Sequence, residues 1–180
     1  MKKALVRFII PILSVIGIVL LDQWTKYLTL LYVKGTEGFY IINKVLRILF
    51  LRNEGMAWGL LQNHQVFFII LTPIVIAALV FVYMRLPFEK KYILARICLI
   101  FLIGGAIGNL IDRIFRGERL FHGYVVDMIY VEIIDFPVFN VADSFVTVGF
   151  AILLISIFFV YKEKDFDVVF GKSKEGEEEK

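Results

Sequence analysis

Four apolar runs, each near the length that an α-helix needs to cross a bilayer, constrain this chain more than anything else in it. A hydrocarbon core of about 30 Å takes about 20 residues of helix. The first run is Ala4 to Leu21, extended by a less apolar stretch to Leu31, with Pro11 as a candidate kink. The second is Val66 to Met84, the third Tyr92 to Ile111, and the fourth Ser144 to Tyr161. The third is interrupted only by Arg96 near one end, where a long cationic side chain can snorkel. Lipid offers no partner for an open backbone, so each run is predicted to be helical. The apolar fraction of 59% and the mean hydropathy of +0.80 agree with a membrane protein.

The N-terminus, with Lys2, Lys3 and Arg7 ahead of its apolar run, imitates a cleavable signal peptide. No small-residue cleavage site follows; Asp22-Gln23-Trp24-Thr25-Lys26 comes instead, so the run reads as a retained span. The formal charge of +3 is too mild for a nucleic-acid binder, and the basic residues form no patch interleaved with aromatics. They flank the apolar runs. By density they favour the side holding both termini, which is therefore expected to be cytoplasmic. His64 and His122 are far apart and Cys98 stands alone, so neither a zinc site nor a disulfide is expected.

The connections are unequal. Arg85 to Lys91 is short and basic. Lys34 to Asn63 is long, and its part Phe39 to Leu51 alternates enough to predict one or two strands. Arg113 to Asp143 is also long. The expected architecture is an all-α membrane protein: four transmembrane helices with one or two strands in the long extracytoplasmic loop. One domain is expected over 1–162, followed by a charged, disordered cytoplasmic tail over 163–180.

With four alternating spans, the end of the first, the start of the second, the end of the third and the start of the fourth share one membrane face. Asp22 and Lys26, Asn53, Asn109, Asp112 and Arg113, Asn140 and Asp143 all fall there, and Asp127 lies in the loop between spans three and four. A single acid at a span end is more often an interfacial residue that prefers water. So many acids beside amides and glycines mark a functional site. Asp22 has Lys26 four residues on, and Asp112 has Arg113 beside it, which suits structural or headgroup-binding roles. Asp127 and Asp143 have no adjacent cation and sit in apolar surroundings. Two carboxylates brought together there would share one proton, the arrangement of an aspartic protease. Asp135, in Asp135-Phe136-Pro137, is a rival for either place, and spacing does not separate the three. Gly104 and Gly108 have the small-xxx-small spacing of close helix packing. No serine or cysteine has the setting of a nucleophile.

Five segments, in order from residue 21 to 144, resemble those of lipoprotein signal peptidase, also called signal peptidase II. They are Leu21-Asp22-Gln23-Trp24-Thr25-Lys26; Arg52-Asn53-Glu54-Gly55-Met56-Ala57-Trp58-Gly59; Gly104 through Arg113; Tyr124-Val125-Val126-Asp127-Met128-Ile129; and Phe139-Asn140-Val141-Ala142-Asp143-Ser144. Met56 and Trp58 replace smaller or different residues of the family's pattern, and the stretch Tyr130 to Pro137 is this chain's own. The resemblance implies an endopeptidase of the bacterial cytoplasmic membrane, with its site near the extracytoplasmic face. It would remove signal peptides from prolipoproteins just before a diacylglyceryl-modified cysteine. Asp127 and Asp143 would be the dyad. Asn53, Gly55, Asn109, Asp112, Arg113 and Asn140 would position substrate or dyad, Asp22 and Lys26 would help shape the site and its lipid-facing opening, and the extracytoplasmic segment Lys34 to Asn63 would form a small β-rich cradle over the site. The implied partners are the lipidated substrate and membrane lipids, with no metal or organic cofactor and a monomeric chain. Three rivals remain: a transporter, which would carry acids near the midplane; a lipid-modifying transferase, which would want basic groups at its centre; and a non-enzymatic assembly factor, which would tolerate loss of one carboxyl.

Overall fold

A computed structural model describes residues 5–55 and 65–170 of the chain. Met56 and Trp58, the departures noted above, lie outside the described residues. A π-helical turn, Leu5–Ile9, stands ahead of Pro11 and leads into α1, Ile10–Tyr32. Strands β1, Phe39–Ile42, and β2, Leu46–Asn53, come next, then α2, Gln65–Arg85. A 3₁₀ turn, Lys90–Tyr92, opens α3, Ile93–Phe115. Strand β3, Val125–Val131, a second 3₁₀ turn, Glu132–Ile134, then α4, Val141–Phe159, and α5, Glu163–Phe170, complete the order. The four long helices α1 to α4 have the length and hydropathy of membrane spans, as the sequence predicts.

Helix α3 is the hub. Half of its span is buried, against 17% or less for each of the others, and α1, α2 and α4 all pack on it. Its glycines allow this. A Cβ on Gly105 would lie 2.5 Å from the Ala142 carbonyl oxygen of α4, and one on Gly108 would lie 2.6 Å from the Asp22 carboxylate of α1. Backbones therefore meet where any larger residue would part them. Cys98 is buried in the same helix. The outer faces of α1, α2 and α4 expose Ile, Leu, Val and Phe, as lipid-facing surfaces do.

The strands form one antiparallel sheet in the order β1-β2-β3. Strand β2 carries one extra residue between the pairs Ile48↔Ile129 and Leu51↔Asp127, a bulge that resets which side chains face the helices. Beyond it Asn53 pairs with Val125, diagonal to Asp127 on the same face. The strand over 125–131 is an addition to the sequence reading, which saw only an apolar run there.

Residues 163–170 differ from expectation. They form α5 rather than the start of a disordered tail, and the rest of that tail lies outside the described residues. The Asp165 carboxylate accepts from Lys91 Nζ at 2.5 Å, from the Tyr92 hydroxyl at 2.7 Å and from the Lys162 backbone N–H at 2.8 Å. The Lys91 bond foremost holds this carboxyl well below its ordinary range. Tyr161 stacks on Tyr92 beside it, with ring centroids 5.9 Å apart.

Candidate active site

The acids at the shared face separate into two groups. The first is an ion cluster packed between helices. Asp22, Lys26 and Asp112 are all fully buried. Lys26 Nζ lies 2.8 Å from Asp22 and 3.0 Å from Asp112. The other Asp22 oxygen accepts from the Ala142 N–H at 2.9 Å, in the first turn of α4, where a helix favours negative charge. Asp112 also receives Arg116 Nε at 3.0 Å and the Val126 N–H at 3.2 Å, which ties α3 to β3. Gln23 links the two acids, donating to Asp112 at 3.0 Å while its own carbonyl accepts from Arg116 at 3.0 Å.

The structure differs from one sequence expectation. The cations paired with Asp112 are Lys26 and Arg116, not the adjacent Arg113. Neighbours on a helix point about 100° apart, whereas residues four apart share a face. Gln23 and Arg116 were missed, though the spacing of four from Asp112 to Arg116 was readable. Asp22, Lys26 and Asp112 lie in the interior.

The second group lines a cavity of about 790 Å³. Asn53 and Gly55 come from β2 and its continuation, Asn109 and Arg113 from α3, Asp127 from β3, and Asp143 from α4. Helices α2 and α4 both pack on α3, and the apolar side chains Phe68, Leu71 and Val75 of α2 and Val146 and Val148 of α4 complete the walls. Asp127 is 1% exposed. One of its oxygens accepts from the Asn53 amide and the other from the Asn140 amide, both at 2.7 Å. Asp143 accepts from the Asn109 amide at 2.7 Å and from the Asn140 backbone N–H at 3.1 Å.

Asn140 is the joint of this arrangement. As N-cap of α4, its side-chain oxygen accepts from the Asp143 N–H at 2.9 Å, and the Asp143 carboxylate returns the bond, closing a capping box. Such a cap stabilises a helix by about 1 kcal/mol. Its NH₂ donates both to Asp127 and to Asn109 Oδ1, the latter at 3.1 Å. Asn109 Oδ1 also accepts from Lys26 Nζ at 2.9 Å, so the ion cluster reaches the cavity through this one amide. Arg113 lies over the Phe68 ring, 4.8 Å from its centroid, and donates to the Gly55 carbonyl at 3.1 Å. Gly55 in turn donates its N–H to Asn53 Oδ1 at 2.9 Å.

Asp127 is pushed up to about 7, mainly by burial and then by the negative charge of Asp143; the two amides and the charge of Lys26 oppose the shift. Asp135 is elsewhere. It is exposed, in the left-handed region at φ 48°, and its carboxylate accepts from the Tyr130 hydroxyl at 2.6 Å. Of the three candidate acids only Asp127 and Asp143 line the cavity.

The family model for signal peptidase (SPase) II matches residues 14–159. The lipoprotein signal peptidase of Geobacillus kaustophilus is 46% identical over 145 residues, which cover 79% of this chain and 89% of that one. The lipoprotein signal peptidase of Enterococcus faecalis is 42% identical over 144 residues, covering 80% and 83%. A solved bacterial membrane enzyme superposes with a TM-score of 0.73 at 33% identity, over 93% of each chain. A second scores 0.71 at 34% identity, over 86% of this chain and 96% of the other.

Proposed function

The chain belongs to the signal peptidase II family, and on that premise we propose that it is an aspartic endopeptidase using Asp127 and Asp143 as its dyad. Membership makes it a protease of lipoprotein processing and a multi-pass bacterial membrane protein. The finer reading is that it cuts prolipoproteins just before the diacylglyceryl-modified cysteine. The observation that carries it is the meeting of two acids from different elements on one cavity, each held by amides rather than by a cation.

The pair holds one proton near neutral pH, and its raised affinity for protons puts that proton on Asp127. Asp143 takes a proton from a water, whose oxygen attacks the scissile carbonyl. Asp127 donates its proton toward the carbonyl oxygen as charge develops there. Collapse of the tetrahedral intermediate breaks the C–N bond, the leaving nitrogen takes the proton now on Asp143, and Asp127 recovers its proton from the hydroxyl that becomes the product carbonyl. Asn53 and Asn140 orient Asp127, and Asn109 orients Asp143. Arg113 and the Gly55 carbonyl form the wall against which the peptide backbone lies. The apolar walls from α2 and α4 receive the acyl chains, whose binding holds the scissile bond at the cavity. Both termini lie in the cytoplasm, the site is near the extracytoplasmic face, and the chain acts as a monomer.

Asp127→Asn, Asp143→Asn and Asp135→Asn, incubated in detergent with a diacylglyceryl-modified prolipoprotein, test this on a gel. The first two should fold without cutting, while Asp135→Asn should cut as the parent does. A dead Asp135→Asn would remove the dyad assignment. A parent protein that leaves authentic lipidated precursor intact would remove the activity.

A further inference from the structure

The end of the bundle opposite Asp127 and Asp143 holds a buried cation that no acid among the described residues answers. Arg96, in the first turn of α3, is 6% exposed. Its guanidinium lies over the Phe88 ring at 4.1 Å and the Tyr83 ring at 4.7 Å, and one nitrogen donates to the Leu86 carbonyl. Nε and Nη1 are buried with no hydrogen-bond partner. Among the described residues no carboxylate pairs with it. Idle donors on a buried charge are expensive, so an acceptor with negative charge would be strongly favoured there.

Tyr83 joins it to a largely apolar groove of about 310 Å³ between α1, α2 and α3, walled by Pro11, Ile12, Val80, Tyr83 and Ile100. Ile100 and Ile103, both in the groove wall, follow Arg96 at i+4 and i+7, so the three share one face of α3. Tyr83 belongs to both places, as groove wall and as the ring under Arg96. Arg7 stands in the groove lining at the same end, 3.5 Å from the Met84 carbonyl oxygen, and Arg85 follows directly in α2. Arg7 thus lines one end of the groove, with Arg96 against its wall residue Tyr83 and Arg85 next to its wall residue Met84.

We propose that this groove binds an anionic phospholipid, one acyl chain lying along α1, α2 and α3 and the phosphate meeting Arg96, with Arg7 and Arg85 at its rim. A free anion would use only the charged end, and an uncharged lipid only the apolar one. A phospholipid with net negative charge uses both. The site lies at the other membrane face from the carboxylates and does not depend on how they act.

The test titrates the full chain in detergent with phosphatidylglycerol, with phosphatidylcholine of the same chains, and with inorganic phosphate, reading bound lipid by native mass spectrometry and thermal shift. Phosphatidylglycerol should bind more tightly than phosphatidylcholine, and inorganic phosphate should give no shift. Arg96→Gln should weaken phosphatidylglycerol about fivefold or more, and Arg7→Gln by a smaller factor. Ile12→Trp, which fills the groove from its exposed side, should weaken both lipids. Lys90→Gln, an exposed cation at the same face, should change little. Should Arg96→Gln fail to fold, Arg7→Gln and Ile12→Trp carry the test. Equal affinity for the two lipids overturns the proposal. So does a Lys90→Gln effect as large as the Arg7→Gln effect, which would mean general surface attraction. A phosphate shift matching that of the lipid, or an inert Ile12→Trp, also overturns it.

Discussion

Replacing Lys26 by methionine separates the ion cluster from the cavity, and its consequences can be worked through. Lys26 is fully buried, with Asp22 at 2.8 Å, Asp112 at 3.0 Å and Asn109 Oδ1 at 2.9 Å. Methionine fills similar space without the charge. Breaking a buried pair by removing one partner costs about 3–5 kcal/mol. Here Asp112 keeps Arg116 and the Val126 N–H, and Asp22 keeps the Ala142 N–H, so the lower end, about 3 kcal/mol, applies. At about 2–4 °C per kcal/mol for a chain of this length, Tm in detergent should fall by about 6–12 °C. Activity should fall further than the folded fraction explains, because Asn109 loses one of two donors that turn its NH₂ toward Asp143. Lys26→Met combined with Asp22→Asn removes the stranded charge and should recover about half of the lost Tm while activity stays low. Scanning fluorimetry and precursor cleavage read the two effects. A shift of less than about 2 °C for the single variant, or a double variant no more stable than the single, refutes the reasoning.

Three further expectations come from the cavity. With Asp127 pushed up to about 7, the one-proton dyad is lost as pH rises through that value, so kcat/KM should fall about tenfold per unit above it; a flat profile to pH 9 would contradict this. The same group makes the folded state bind an extra proton between about pH 4 and about 7, so its stabilising contribution is complete below that window and lost across it, and Asp127→Asn should flatten that slope in a pH series of thermal melts. Asn140→Ser keeps an N-cap hydroxyl but removes the amide that donates to Asp127 and Asn109, so it should melt within about 1 kcal/mol of the parent yet lose most of its activity, whereas Asn140→Ala should lose both; an active serine variant would show that the cap alone matters.

The spans were legible because hydropathy over about 20 residues is a summed signal that no single tertiary contact reverses. The hairpin of β1 and β2 was legible from alternation. Strand β3 was harder, because Val125, Val126, Asp127 and Met128 are all buried and the run does not alternate. Helix α5 was illegible for a different reason. Its docking depends on Asp165 meeting Lys91 and Tyr92, more than seventy residues away in the chain. At the site, the sequence singled out the acids and amides but not their partners. Adjacency suggested that Arg113 serves Asp112, whereas helical phase gives Asp112 to Arg116 and leaves Arg113 on the cavity wall. Nor did spacing separate Asp135 from Asp127 and Asp143. That distinction comes from the 3₁₀ turn after β3, which leaves Asp135 in an exposed left-handed position.

The division of the acids into two groups has a physical logic. Asp22 and Asp112 are neutralised by Lys26 and Arg116 within hydrogen-bonding distance, which joins α1 to α3, and Asp22 also holds the Ala142 N–H of α4. Asp127 and Asp143 are held instead by Asn53, Asn109 and Asn140. An amide donor fixes the direction of a carboxylate nearly as well as an ammonium does, but favours its ionised form far less. Arg113, a cation in the cavity wall, donates to Gly55 and lies over the Phe68 ring, and forms no salt bridge with either acid. A cation placed on Asp127 would hold it ionised and stop it from keeping a proton near neutral pH. Amide scaffolding leaves the two carboxylates oriented and still free to exchange one proton, which is what a water-activating pair requires.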